Sequence, residues 1–195
     1  MSRASAYFLA IEIGGSLRRA LTPLLTEMTD MGAAVRPVRT DSLHVTLRYL
    51  GRLDPAQQVA VRAAAAQVAS AGRPFTLALT GIELAPPGPS PRVVWAPLGE
   101  GEEDLVGVVA RLNLNLADRG WANPTQPFKA HCTLARLSPG LSLESLTRLQ
   151  RLGGQSAAEP SLKMPVEALC LMESLPVPGQ ANRYRRRANW SLKGE

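Results

Sequence analysis

The chain has 195 residues, 45% of them hydrophobic and 19% charged, which suits a folded protein of one domain or two small lobes and excludes a disordered chain. No apolar run approaches the roughly 18 residues of a membrane helix, and Met1–Ser5 lead straight into a short alternating stretch without an apolar leader, so a cytoplasmic protein is the expectation. The net charge of +6, carried by arginines and by only three lysines (Lys129, Lys163, Lys193), admits an anionic partner such as nucleic acid, although charge alone suits a merely soluble basic protein equally well.

In chain order, Tyr7–Ile13 alternates, with Tyr7, Leu9, Ile11 and Ile13 on one face and Phe8, Ala10 and Glu12 on the other, the period of a strand. Gly14-Gly15-Ser16 follows with Ser16 as the expected N-cap, and Leu17, Leu21, Leu24, Met28 and Met31 recur at helical spacing. Pro23 is expected to kink that helix or shift its start. Val35–Arg39 reads as extended, with Pro37 favouring a sheet edge. Leu43–Leu50 is a second clear strand. Asp54-Pro55-Ala56-Gln57 combines an Asp cap, a proline in the first turn and a Gln three residues after the cap, and it opens an alanine-rich helix to Ala71. Strands are expected over Phe75–Ile82 and Arg92–Leu98, with a Pro/Gly-rich loop at 85–91. The acidic run at 100–104 suits the start of a helix whose apolar stripe is Leu105, Val109, Leu112 and Leu116. Phe128–Leu137 reads as a strand and Ser142–Leu152 as a helix. Met164–Leu175 and Tyr184–Leu192 read as two closing strands around a Pro/Gly turn. The mixture predicts an α+β fold with mainly antiparallel sheet and a loose internal duplication.

The chain holds two histidines and two cysteines. Both histidines stand in one pattern, His44-Val45-Thr46-Leu47 and His131-Cys132-Thr133-Leu134, 87 residues apart. On a strand, residues i and i+2 share a face. Each His therefore shares a face with its Thr, while Val45, Leu47, Cys132 and Leu134 point to the opposite, buried side. Two such strands side by side present two imidazoles and two hydroxyls to one groove. A neutral imidazole takes a proton from an attacking oxygen, an imidazolium gives one to a leaving oxygen, and the hydroxyls hold phosphate oxygens. A zinc site is a poor competitor, because adjacent His131 and Cys132 diverge and Cys132 and Cys170 lack metal-ligand spacing. The chemistry calls for no metal and no cofactor, and both cysteines are expected to be reduced.

The paired HxTL motifs resemble the defining feature of the 2H phosphoesterase superfamily, and most closely its RNA 2′,3′-cyclic phosphodiesterase branch, often labelled 2′-5′ RNA ligase. The resemblance runs through Tyr7-Phe8-Leu9-Ala10-Ile11, the stretches 43–51, 91–96 and 127–136, Leu171-Met172-Glu173-Ser174 and Tyr184-Arg185. It implies one domain over residues 1–195, with two pseudo-symmetric lobes of antiparallel sheet, outer helices and a central active-site groove. It implies hydrolysis of a terminal 2′,3′-cyclic phosphate to a 2′-phosphomonoester, and reversal with an RNA 5′-hydroxyl to make a 2′-5′ linkage. It assigns His44 as proton donor, His131 as proton acceptor, and Thr46 and Thr133 as phosphate holders.

Arg136 and Tyr49 complete the expected substrate-binding set. Each lies five residues after a histidine, so an ideal strand puts it on the wrong face, and a bulge or strand end is needed to bring it into the groove. A surface ion pair for Arg136 and a core-facing position for Tyr49 are the alternatives. Arg183, Arg185, Arg186 and Arg187 read either as a solvated strand face or as an RNA-backbone contact. Trp95, Trp121 and Trp190 read as packing residues. The chain departs from the family it resembles before the first motif, where that family often carries Arg-Trp and this chain has Arg36-Pro37. RNA ends or cyclic nucleotides are the expected substrates, with no membrane partner and a monomeric working unit. Competing readings keep the mechanism with ADP-ribose cyclic phosphate or a 2′-5′ oligonucleotide as substrate, or replace it with RNA binding without turnover.

Overall fold

A computed structural model describes residues 5–156, 162–177 and 182–194. Its elements are β1 (Ala6–Glu12), α1 (Gly15–Thr29), β2 (Val35–Pro37), a 3-10 turn (Thr40–Ser42), β3 (His44–Gly51), α2 (Pro55–Ser70), β4 (Phe75–Leu79), β5 (Glu83–Ala85), β6 (Val93–Pro97), α3 (Glu102–Ala117), β7 (His131–Leu137), α4 (Leu143–Ser156), β8 (Leu162–Val166), β9 (Ala168–Leu175) and β10 (Arg183–Ser191). The pairings between these strands are antiparallel, as the α+β reading requires.

The large sheet runs β10-β9-β1-β3-β7-β6-β5, with β2 on β7, and β4 and β8 form a separate pair. It divides into two four-stranded halves. In one, β3 lies beside β1, and α2 and α3 pack behind; in the other, β7 lies beside β6, and α1 and α4 pack behind. The halves meet where β3 pairs with β7 at Val45 and Cys132. Strand β2 continues along β7, with Pro37 opposite Ala135, an edge position that tolerates its missing N–H.

The alternation of β1 sorts its side chains into two clusters. Tyr7, Leu9 and Ile11 join the main core beneath the helices. Phe8 and Ala10 join Cys170 and Met172 in a small cluster on the other face, where Tyr184 packs on them. That second face is the wall of the groove. Helix α2 begins with the expected reciprocal cap: Asp54 accepts from the Gln57 backbone N–H at 2.8 Å, and the Gln57 side chain accepts from the Asp54 N–H at 3.0 Å. The first turn of α3 carries Glu102, Glu103 and Asp104 at the positive end of the helix dipole. No helix among the described residues is long and apolar enough to cross a membrane.

Several expected boundaries move. Helix α1 is capped by Gly14, not Ser16, and it continues through Pro23 to Thr29. Proline there removes only the bond to the Arg19 carbonyl, and both residues are exposed, so water can meet that group. Strand β4 stops at Leu79, with the short β5 beginning separately at Glu83. The expected strand over Met164–Leu175 is two strands, because β8 pairs with β4 while β9 enters the large sheet between β1 and β10. The Pro/Gly turn between the closing strands lies mostly outside the described residues, as do Met1–Ala4.

Candidate active site

The two histidines occupy equivalent places, each the first residue of its strand. The His44 Nδ1 lies 2.7 Å from the Ser42 carbonyl, and the His131 Nδ1 lies 2.8 Å from the Lys129 carbonyl. A carbonyl oxygen only accepts, so each Nδ1 carries the hydrogen. In the neutral ring, Nε2 is then the basic atom. The same backbone contact, made from two residues upstream, thus sets both tautomers.

The surroundings differ in detail. The His44 ring lies 4.8 Å from the Phe8 ring and 5.1 Å, edge-on, from the Tyr184 ring. The His131 ring lies 4.4 Å from the Trp95 ring, and Lys129 Nζ stands 4.5 Å over that same indole. The Trp95 Nε1–H donates to Glu83 at 3.1 Å. Trp95 therefore belongs to the site, which corrects its reading as a packing residue. Trp121 and Trp190 do pack against the core. Phe8 was legible only as a residue of the strand face opposite Leu9 and Ile11, and Tyr184 only as the start of a closing strand.

Burial lowers the pKa of both histidines. The carbonyl bonds oppose that shift, and the Arg136 charge adds to it at both rings. Here the two part company: Glu12 raises the His44 value, whereas Lys129 lowers that of His131. Glu12 lies opposite His44 in the strand register and is shared by Arg186 at 2.7 Å and Arg18 at 3.8 Å. This accounts for one member of the C-terminal arginine run, and Arg187, 3.7 Å from Glu173, for another.

Val45, Leu47, Cys132 and Leu134 are all buried, as the strand period predicts. Burial pushes both thiols up to about 12, so they are inert. Thr46 and Thr133 stand two residues beyond their histidines, both half-buried, Thr46 opposite Ala10 and Thr133 opposite Trp95.

Tyr49 and Arg136 reach the groove through bulges. Along β1, Ala10 pairs with Thr46 and Leu9 with Arg48, so Leu47 has no partner. Along β6, Trp95 pairs with Thr133 and Val94 with Ala135, so Leu134 has none. The extra residue sits at the Leu of the HxTL motif each time, and it reverses the alternation beyond it. Arg136 is exposed while Leu134, Ala135 and Leu137 are buried, and Tyr49 pairs with the groove-facing Phe8.

A cavity of about 450 Å³ is lined by residues that include Phe8, His44, Thr46, Tyr49, Arg136 and Tyr184. A second, of about 1050 Å³, is lined by His131, Lys129, Phe128 and Asn123, and it shares Thr46 and Tyr49 with the first. Five of the six expected site residues thus line one or both cavities. Thr133 lines neither and flanks His131 along its strand.

Two HxT strands side by side in an antiparallel sheet define an acid–base site suited to phosphoryl chemistry. A family model described as the 2′-5′ RNA ligase superfamily matches residues 24–176, and the chain belongs to that family of two-histidine phosphoesterases, which are enzymes. Among its relatives, the RNA 2′,3′-cyclic phosphodiesterase of Archaeoglobus fulgidus is 28% identical over 130 residues, covering 67% of this chain and 71% of its own. The Escherichia coli enzyme of the same name is 28% identical over 136 residues, covering 70% and 74%. A solved structure from Thermus thermophilus superimposes with a TM-score of 0.78 at 25% identity, covering 97% of this chain and 99% of that one. E. coli LigT complexed with 3′-AMP shares the fold, with a TM-score of 0.73 at 22% identity and coverage of 97% and 99%.

Proposed function

We propose that the protein is an RNA 2′,3′-cyclic phosphodiesterase that opens a terminal cyclic phosphate to a 2′-phosphomonoester. The observation that carries this reading is the pair of imidazoles on adjoining strands, each held by a backbone carbonyl at Nδ1 so that Nε2 is its proton-transferring atom. The names of the relatives point to the same reaction.

In this mechanism the neutral His131 Nε2 takes a proton from water as the water oxygen bonds to phosphorus. The bond from phosphorus to the ribose 3′ oxygen breaks, and the protonated His44 Nε2 gives its proton to that oxygen. Exchange of one proton with solvent restores both rings. Thr46, Thr133 and Arg136 bind the non-bridging oxygens, where charge builds up in the transition state. Tyr49 stacks on the substrate base. Burial favours the neutral form of both rings; among the nearby charges, Glu12 opposes this at His44 whereas Lys129 adds to it at His131, which is the direction this division of labour needs. Reversal, with an RNA 5′-hydroxyl in place of water, makes a 2′-5′ linkage. Both histidines come from one chain, which supports one domain working as a monomer.

The test is hydrolysis of a 2′,3′-cyclic nucleotide in EDTA, with the products separated into 2′- and 3′-phosphates. The 2′-phosphate is expected, and His44→Ala and His131→Ala should each lower kcat by about 10²–10⁴-fold while the fold persists. Full activity in both variants would refute the reading.

A further inference from the structure

The two histidines make the same backbone contact, but the carbonyls they meet are supported differently. Ser42, whose carbonyl accepts the His44 Nδ1–H, closes the 3-10 turn Thr40–Ser42. Its own N–H donates to the Arg39 carbonyl at 2.9 Å, and its hydroxyl donates to Asp41 at 3.0 Å. Asp41 is held in turn by two bonds from the Arg39 guanidinium. Local bonds therefore fix the acceptor for His44. Lys129, whose carbonyl accepts the His131 Nδ1–H, belongs instead to an irregular segment over 121–130. The pairing of β7 with β6 begins only at His131, opposite Pro97, two residues beyond that carbonyl.

The Lys129 side chain supplies the missing support. Its Nζ stands 4.5 Å over the Trp95 indole, inside the distance of about 6 Å at which an ammonium is attracted to an aromatic face. The same indole packs on the His131 imidazole, with ring centroids 4.4 Å apart and planes tilted by 42°. Trp95 itself is well anchored. It stands on β6, which is paired on both sides, by β5 and by β7. Its Nε1–H donates at 3.1 Å to Glu83, its cross-strand partner on β5. The contacts form a closed circuit: the His131 Nδ1–H on the Lys129 carbonyl, the Lys129 ammonium on Trp95, and Trp95 on the His131 ring. The bond made at one ring nitrogen decides which nitrogen is left basic. Without its acceptor at Nδ1, the neutral ring is free to carry its hydrogen on Nε2 instead, where it could accept no proton.

We propose that Trp95 is a positioning residue for His131: the indole seats the Lys129 ammonium and thereby holds the Lys129 carbonyl on Nδ1, which keeps Nε2 free to take a proton. The catalytic consequence rests on the proposed phosphodiesterase reading, whereas the control of the tautomer does not.

The experiment reads the tautomer directly. The chain has two histidines, so nitrogen NMR on the labelled protein follows each ring separately, with His44 as the internal control. At pH ~8, above both lowered pKa values, the two rings are neutral. The wild type is expected to show Nδ1–H at both. Trp95→Leu and Lys129→Met should each give a mixture of tautomers at His131 and leave His44 unchanged. In hydrolysis of 2′,3′-cyclic AMP, both variants should lose about 10²-fold in kcat with KM close to the wild-type value, because a misaligned base costs rate rather than binding. Lys129→Arg keeps a cation over the indole and should retain both the tautomer and kcat. Lys129 is exposed, so Lys129→Met guards against a folding defect at the half-buried Trp95. An unchanged Nδ1–H at His131 in either Trp95→Leu or Lys129→Met, or an equal change at both rings, overturns the proposal. Absence of hydrolysis in the wild type overturns the phosphodiesterase reading and leaves the tautomer result standing.

Discussion

Tyr49 and Arg136 line one cavity from two different strands, each turned into the groove by a bulge at the leucine that closes its HxTL motif. The phenol and the guanidinium thereby stand beside the same histidine, His44, and the same hydroxyl, Thr46. One position supplies an aromatic face and its counterpart a cation, which makes a pseudo-symmetric site chemically one-sided.

Removal of Arg136 has two separable consequences. Its charge lowers the pKa of both histidines, so Arg136→Ala should shift the kcat/KM profile to higher pH. Loss of a donor to the transition-state oxygens should lower kcat/KM by about 10²–10³-fold. A pH–rate series on the variant reads both, and an unmoved profile would place Arg136 too far from the rings to matter.

Tyr49 is 65% exposed, so Tyr49→Ala should leave the melting temperature near that of the wild type. Loss of base stacking is worth about 1–3 kcal/mol, a rise in KM of roughly 5- to 150-fold, with kcat little changed. Tyr49→Phe keeps the ring and should retain the wild-type KM. Steady-state kinetics with a cyclic nucleotide decide the point.

Both histidine pKa values lie below the ordinary value of about 6.5 in the free protein. The active form has one ring charged and one neutral, so kcat/KM should peak on the acidic side of pH ~6.5 and fall as pH rises above it. A bound phosphate adds negative charge beside His44 and raises its pKa, so the alkaline limb of kcat should lie higher than that of kcat/KM. A kcat/KM profile flat to pH ~8 would contradict this.

The same shifts couple to stability. The unfolded chain binds protons at these histidines more readily than the folded one, so stability is present above pH ~6.5 and is lost as pH falls through the folded values. The melting temperature should drop between pH 7 and pH 5, and a His44→Gln/His131→Gln variant should show a shallower drop. Thermal unfolding across that range measures the difference.

Asp54→Ala removes the reciprocal cap of α2, which packs behind β9 and β10 and away from the groove. The expected cost is about 1 kcal/mol of stability. The melting temperature should fall by about 2–4 °C with catalysis intact.

Much of this protein was decided locally, and local order is what sequence reads well. The Asp54–Gln57 cap, the acidic start of α3 and the division of β1 between two faces follow from propensity and a period of two. The HxT repeat likewise established that each imidazole shares a face with a hydroxyl, because that relation spans only three residues. Strand pairing decided the rest. Sequence period carried no sign that β3 and β7 adjoin at Val45 and Cys132, that the leucines at 47 and 134 are skipped in the register, or that residues 164–175 divide between two sheets. A bulge arises from the match between two strands, and its effect on Tyr49 and Arg136 runs against the alternation either strand shows alone. Phe8, Tyr184 and Trp95 reached the histidines in the same way, by the placement of neighbouring strands. The motif alone singled out the two side chains proposed to move protons. Pairing between distant strands set what surrounds them, because those neighbours are brought in from parts of the chain with no local relation to the motif.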